Sequence, residues 1–275
     1  MKLVERTLHL MYSLLRILLR VLCGGKNRRN KFLMERYGRS GMGTASVFLH
    51  IWPYPIRFYV EPRIISNRFI HERQISLFLS KIKGEVFVDV GAYLGHYSLM
   101  LCSNFSKIFA FEPFPMNLKL LRQNVYYGKA KNVLCVGMAV SDKEGTTTLY
   151  SSFGGVSGGH SLLASETLPD SIKVKTCTLA TFFKELPKID LVKVDVEGAE
   201  WMVLKGAEPI LDKIIAWIVE LHDLPRKKEI QSWFASRGYR CKWLDFWQSS
   251  PNHIYAFRES FGADNDEKQS YVCNR

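Results

Sequence analysis

The densest chemistry in the chain lies in Lys193-Val194-Asp195-Val196-Glu197-Gly198-Ala199-Glu200, where three acids crowd a few residues behind an apolar run. If that run is a strand, Asp195 and Glu197 leave it on one side, two carboxylates aimed at one crevice. Such a pair can tune each other's proton affinity and take a proton from a substrate. They can equally be acids favoured by a helix start. His222, after Val219-Glu220-Leu221, is a candidate general base at the tip of another strand, although a lone histidine is often structural. A third feature is Asp89-Val90-Gly91-Ala92-Tyr93-Leu94-Gly95, a G-x-x-x-G turn that brings backbone close to a ligand or simply turns tightly. It is neither the G-x-G-x-x-G of dinucleotide binders nor a P-loop. Glu112 ends the next apolar run and offers two acceptors to ribose hydroxyls, or caps the helix after Pro113. Ser141 and Asp142 end a further run; Asp142 could accept from an adenine amine or close a turn on its own backbone.

These residues share a register only if the elements around them alternate. VFVDV (86–90), KIFAFE (107–112), 132–140, 191–196 and AWIVEL (216–221) read as buried strands. Helical periodicity lies between them at 94–104, 115–126 and 199–204, with a further helix at 226–237. Two strands at 146–152 and 172–179 form an excursion, and 239–244 with 253–257 closes the chain as a hairpin. Upstream, 45–61 reads as two strands around a Pro turn and 69–83 as a helix. Strand–helix alternation with fully apolar strands implies an α/β fold with a parallel sheet covered on both faces. Ligands in such sheets bind at the carboxyl ends of the strands, where these candidates sit.

The chain has 275 residues, 47% hydrophobic and 23% charged, enough for a substantial core and too apolar for a disordered chain. A mean hydropathy of −0.06 excludes a multi-span membrane protein. The net charge is +12, but residues 1–40 carry ten basic side chains against two acids, a local +8. The remainder is only mildly basic and offers little for a phosphate-tracking groove. Six cysteines with no C-x-x-C pair give no support for zinc and fit reduced thiols. Residues 8–23 are apolar except for a narrow stripe (His9, Ser13, Arg16, Arg20) that continues Lys2 and Arg6 at helical steps. Arg16 and Arg20 argue against a span or a secretory signal. An interfacial helix and a helix docked on this protein or on a second copy both remain open.

Taken in order, VFVDVGAYLGHYSL, AFEPFPMNLKLLRQNV, AVSDKEG, IDLVKVDVEGAEWMVLKGA and IVELH resemble the FkbM-type methyltransferases, across roughly residues 50–258. The resemblance implies a Rossmann-like, class I fold of seven strands with an antiparallel last strand, and S-adenosylmethionine as cofactor. It places Asp89, Gly91, Ala92 and Gly95 at the methionine part of the cofactor and Glu112 at the ribose. Ser141 and Asp142 would lie near adenine, and Asp195 to Gly198 beside methyl transfer. Tyr93 stands where the family often has Asn, and 154–161 matches a variable loop that could close over the acceptor.

The expected activity is O-methylation of a hydroxyl on a sugar, glycolipid or polyketide-like molecule, with His222, Asp195 and Glu197 as candidates for the proton transfer and no metal assigned. The rivals are an RNA methyltransferase, which lacks its usual Asn/Asp-Pro-Pro-Tyr/Phe motif here, and a non-catalytic membrane-tethered protein of the same fold. The expected organisation is a basic segment 1–40, a catalytic unit 41–260 led in by 41–83, and a polar tail 261–275. A cytoplasmic enzyme follows, peripheral at an anionic membrane surface through residues 1–31 or paired as a homodimer, with no nucleic-acid partner.

Overall fold

A computed structural model of the chain describes residues 33–35, 45–51, 54–60, 73–151, 162, 170–244 and 252–258. The amphipathic segment 8–23, the loop 154–161 and the tail 261–275 lie outside the described residues. Strands β1 (Leu33–Glu35), β2 (Ala45–Ile51) and β3 (Tyr54–Val60) form a small antiparallel sheet, followed by α1 (Arg73–Leu79).

The central unit starts with β4 (Gly84–Val90), α2 (His96–Met100), β5 (Phe105–Phe111), α3 (Pro115–Tyr127) and β6 (Val133–Val136). It continues with β7 (Ala139–Val140), β8 (Gly145–Ser151), β9 (Asp170–Cys177), α4 (Leu179–Phe182) and β10 (Ile189–Val194). The last part is α5 (Glu200–Ala207), a 3-10 turn at Glu208–Lys213, β11 (Ile214–Glu220), α6 (Lys227–Ala235), β12 (Arg240–Leu244) and β13 (His253–Phe257). The main sheet has seven strands in the order β12-β13-β11-β10-β4-β5-β6. Strand β13 runs antiparallel to both its neighbours, and β11, β10, β4, β5 and β6 pair in parallel. This is the seven-stranded class I arrangement expected from the sequence. The chain builds outward from β4 through β5 to β6, then returns to lay β10 on the other side of β4. That reversal opens a crevice at the carboxyl ends of β4 and β10.

Alternation along each strand fills both faces. Phe87, Ile108, Ala110, Leu191 and Ile218 face one core with α1 to α3. Val88, Phe109, Phe111, Val192, Trp217 and Val219 face the other with α4 to α6. Pro115 starts α3, where its missing N–H costs nothing, and Phe114 precedes it in extended backbone.

Three expectations change. The run 132–140 is not one strand: β6 stays in the main sheet and β7 pairs with β9 in a small sheet of order β7-β9-β8. The break falls at Gly137, where a Cβ would stand 2.6 Å from Leu118 Cδ2, so the chain leaves the sheet edge hard against α3. The helix expected at 94–104 is only α2: Gly95 at φ 90 sets its start, and 101–104 is a turn. The helix expected at 69–83 ends at Leu79 in α1, and 69–72 lie outside the described residues. Cys102, Cys135, Cys177 and Cys241 are unbridged. Among the described residues no helix is long and apolar enough to cross a membrane.

Candidate active site

The turn after β4 is locked to two neighbouring strands. Gly91 and Ala92 donate their N–H groups to the Phe111 carbonyl at 3.1 and 2.9 Å, and Asp195 N donates to the Val90 carbonyl at 3.0 Å. Gly91 has φ +81, and a Cβ there would stand 1.8 Å from the Asp195 carbonyl oxygen. Only glycine permits that approach. It brings the tips of β4 and β10 together at the base of a cleft that encloses about 600 Å³, solvent at its open mouth included.

Glu112, at the tip of β5, forms one wall. Its carboxyl is buried, with Oε2 accepting from Tyr93 N (2.9 Å) and Oε1 from Phe114 N (2.9 Å) and Asn117 Nδ2 (3.5 Å). Burial pushes its pKa up to about 8, and these donors oppose the rise. Each oxygen retains acceptor capacity toward the cleft. The Tyr93 contact needs that residue at φ 52, an uncommon conformation for a tyrosine.

Five other expected cofactor residues are not among those that line the cleft, and of these Asp142 is exposed. Asp89 is fully buried; its Oδ2 accepts from Ser98 N (3.1 Å) and Ser98 Oγ (2.6 Å) and so ties α2 beneath the turn. Burial raises its pKa, opposed by Lys193 across the strand pair. Ala92 is buried. Gly95 serves packing, since a Cβ would stand 2.6 Å from Leu121 Cδ1. Ser141 Oγ donates to Asp142 Oδ1 at 3.1 Å. Gly206 of α5 abuts the Ser141 carbonyl, which a Cβ would approach to 2.0 Å. The wall on that side is instead Met138, Ala139 and Val140.

At the end of β10 both acids face the cleft, but not by strand alternation. The strand stops at Val194, and Glu197 (φ 53) and Gly198 (φ 104) turn the chain instead. Lys193, buried in the strand, reaches Asp195 Oδ2 at 3.3 Å and lies 4.6 Å from the Tyr97 ring centre. Asp195 Oδ1 is buried and has no hydrogen-bond partner. Glu200, buried at the start of α5, accepts from Gly198 N at 2.8 Å and holds His222 Nδ1 at 2.8 Å. The other ring nitrogen lies 3.3 Å from Glu197 Oε2, 3.9 Å from Glu220 Oε1 and 4.0 Å from Asp195 Oδ1.

Burial alone would lower the pKa of His222; the Glu200 hydrogen bond, Glu197 and Asp195 outweigh it and raise the pKa to about 9. The ring is therefore an imidazolium at neutral pH and has no lone pair with which to take a proton. Glu220 is held down at about 2: burial would raise it, but His253 (3.4 Å), Lys193 and His222 prevail. Asp195, Glu220 and His222 place potential ligand atoms within 4.8 Å of one another. A cation could join them only if His222 first lost its proton.

Lys193, Glu200, Glu220 and His253 belong to the site, although their types alone assign them no role. A lysine inside an apolar strand is the one local signal, because a buried ammonium needs a partner. The cleft wall contains Glu112, Asp195 and Glu197 and, among its described residues, no Lys, Arg or His. Glu112, raised to about 8, is largely neutral at pH 7, and Lys193 and His222 stand behind Asp195 and Glu197, so the wall is acidic in type but only weakly charged.

A family model for the methyltransferase FkbM domain matches residues 89–241. The chain is 31% identical over 140 residues to the hexuronic acid methyltransferase AglP of Haloferax volcanii, spanning 50% of this chain and 56% of that protein. It is 30% identical over 155 residues to methyltransferase sdnD of Sordaria araneosa, spanning 44% and 60%. The chain thus spans little more than half the length of these relatives. Among solved structures, a precorrin-6y C5,15-methyltransferase from Geobacter metallireducens aligns with a TM-score of 0.44 at 14% identity, over 70% of this chain and 92% of that one.

Proposed function

The chain belongs to the FkbM methyltransferase family, and on that premise we propose that it is an S-adenosylmethionine-dependent O-methyltransferase acting on a hydroxyl of a sugar, glycolipid or polyketide-like molecule. The observation that carries this reading is the cleft itself: its described lining residues include three acidic side chains and no basic one, at the carboxyl ends of β5 and β10. A sulfonium ligand needs no cation from the protein, whereas the wall offers none to the phosphates of a dinucleotide. Bound there, S-adenosylmethionine would supply an already activated methyl group.

The protein's part is alignment, exclusion of water and proton removal. Glu112 accepts from ribose hydroxyls, Gly91 lets the backbone come close, and Met138 to Val140 offer an apolar wall to adenine. Asp195, which lines the cleft beside Glu197, takes the proton of the acceptor hydroxyl. Lys193 fixes its Oδ2, and the charged His222 gathers Asp195, Glu197 and Glu220 around it. The proton-accepting role that His222 suggests by its type passes to the carboxylates. A sugar acceptor is supported by the similarity to the hexuronic acid methyltransferase of Haloferax volcanii. Residues 1–40 act as an address on a catalytic unit of 41–260, holding a cytoplasmic enzyme at an anionic membrane surface through residues 1–31.

The test is a transfer assay with methyl-labelled cofactor against glycan and glycolipid fractions. Label in an ether-linked methyl, reduced at least a hundredfold in Asp195→Asn, supports the reading. Label on nitrogen or in RNA contradicts it.

A further inference from the structure

The outer side of α3 takes no part in the cleft. Its inner side is buried through Asn117, Leu120, Leu121 and Asn124. Lys119, Arg122 and Tyr126 recur on the opposite side at helical steps of 3 and 4, and Met116 and Tyr127 flank them. Tyr126 is 77% exposed, Tyr127 49% and Met116 41%. These are three of the six large apolar side chains that stand exposed among the described residues, gathered on one helix. The two tyrosine rings meet edge to face, 5.2 Å apart. Lys129 and Lys131 follow the helix, both exposed. From Pro113 to Ser141 the chain carries four basic residues and no acid.

We propose that this face of α3 is a docking surface for an anionic lipid bilayer. A protruding tyrosine has an apolar body and a polar tip, which suits the headgroup boundary. Lys119, Arg122, Lys129 and Lys131 surround the rings with charge complementary to anionic headgroups, while their stems rest on apolar surface. The outer face of a helix is convex and gives a nucleic-acid strand no groove to follow. The first forty residues carry +8 on the same chain, so one molecule has two elements suited to the same surface. The surface is independent of the reaction proposed above, and neither depends on the other.

The full chain is mixed with vesicles of phosphatidylglycerol and phosphatidylcholine, or of phosphatidylcholine alone, and its partition is measured by sedimentation. The variants are Lys119→Gln/Arg122→Gln/Lys129→Gln and Tyr126→Ser/Tyr127→Ser, each confirmed to unfold at the wild-type temperature. Each basic group near the surface contributes about 1 kcal/mol, about fivefold in partition, so the charge variant should lose at least tenfold on anionic vesicles. The tyrosine variant should lose partition that persists at high salt. Wild-type partition in both variants overturns the proposal. So does a charge variant that keeps vesicle binding but loses a single-stranded RNA oligonucleotide, or one that only turns a dimer into a monomer.

Discussion

His222 should be positively charged in the folded protein at neutral pH. Its ring is one quarter exposed and its pKa rises from 6.5 to about 9. Taken whole, that rise corresponds to about 3 kcal/mol; discounted for the solvent at the exposed edge, it is about 2 kcal/mol. The folded state holds the proton more tightly than the unfolded one. The stabilisation is therefore fully present below pH 6.5 and disappears as pH rises through 9. Replacing His222 by Gln removes the titrating group and leaves Glu197, Glu200 and Asp195 without their cation. The assay is urea unfolding at pH 6 and pH 9.5 on both proteins. Wild type minus variant should be larger at pH 6 than at pH 9.5 by about 2 kcal/mol. An imidazole titration followed by NMR should place the ring's midpoint well above 7. A midpoint below 7, or a difference that does not change with pH, refutes the argument and restores His222 as a free base.

Glu112→Gln should weaken S-adenosylmethionine binding at least tenfold in calorimetry while raising stability at alkaline pH. The carboxyl's pKa is raised to about 8, so its ionisation costs the wild type stability as pH climbs from 4.5 through 8, and the amide has no such cost. Gly91→Ala forces a Cβ against the Asp195 carbonyl at φ +81 and should cost more than about 2 kcal/mol in chemical unfolding, with cofactor affinity lost alongside. Trp217→Ala, in the core beneath α6, should cost about 3–5 kcal/mol without a direct effect on cleft chemistry in the remaining folded protein. Glu200→Gln keeps an acceptor for His222 but removes the charge; its signature is a lowered imidazole midpoint by NMR rather than lost folding.

The central strands β4, β10 and β11 were legible because each is a short apolar run buried on both faces; His253–Phe257 is observed as expected. The break between β6 and β7 was not, since Val133 to Val140 is apolar throughout and the cause is a contact between Gly137 and Leu118 of a preceding helix. Glu112 could be found from its place at a strand end. The Glu200–His222 pair could not, because its members lie 22 residues apart, one at the start of α5 and one just past β11, and meet only when β10 and β11 pair. Asp195 and Glu197 reach one crevice for a reason that strand periodicity does not contain: a turn with two left-handed residues follows β10. The charge of the cleft is likewise a three-dimensional property. A chain of net +12 folds so that its small-molecule cleft is walled by acids.

The central claim is that this acidic cleft holds S-adenosylmethionine. Calorimetric titration of the full chain with S-adenosylmethionine, S-adenosylhomocysteine and NAD tests it most directly. The account predicts saturable binding of the first two, at least a tenfold loss of both in Glu112→Ala, and no binding of NAD. Heat from NAD of equal affinity, or a Glu112→Ala protein that binds S-adenosylmethionine as the wild type does, would contradict it.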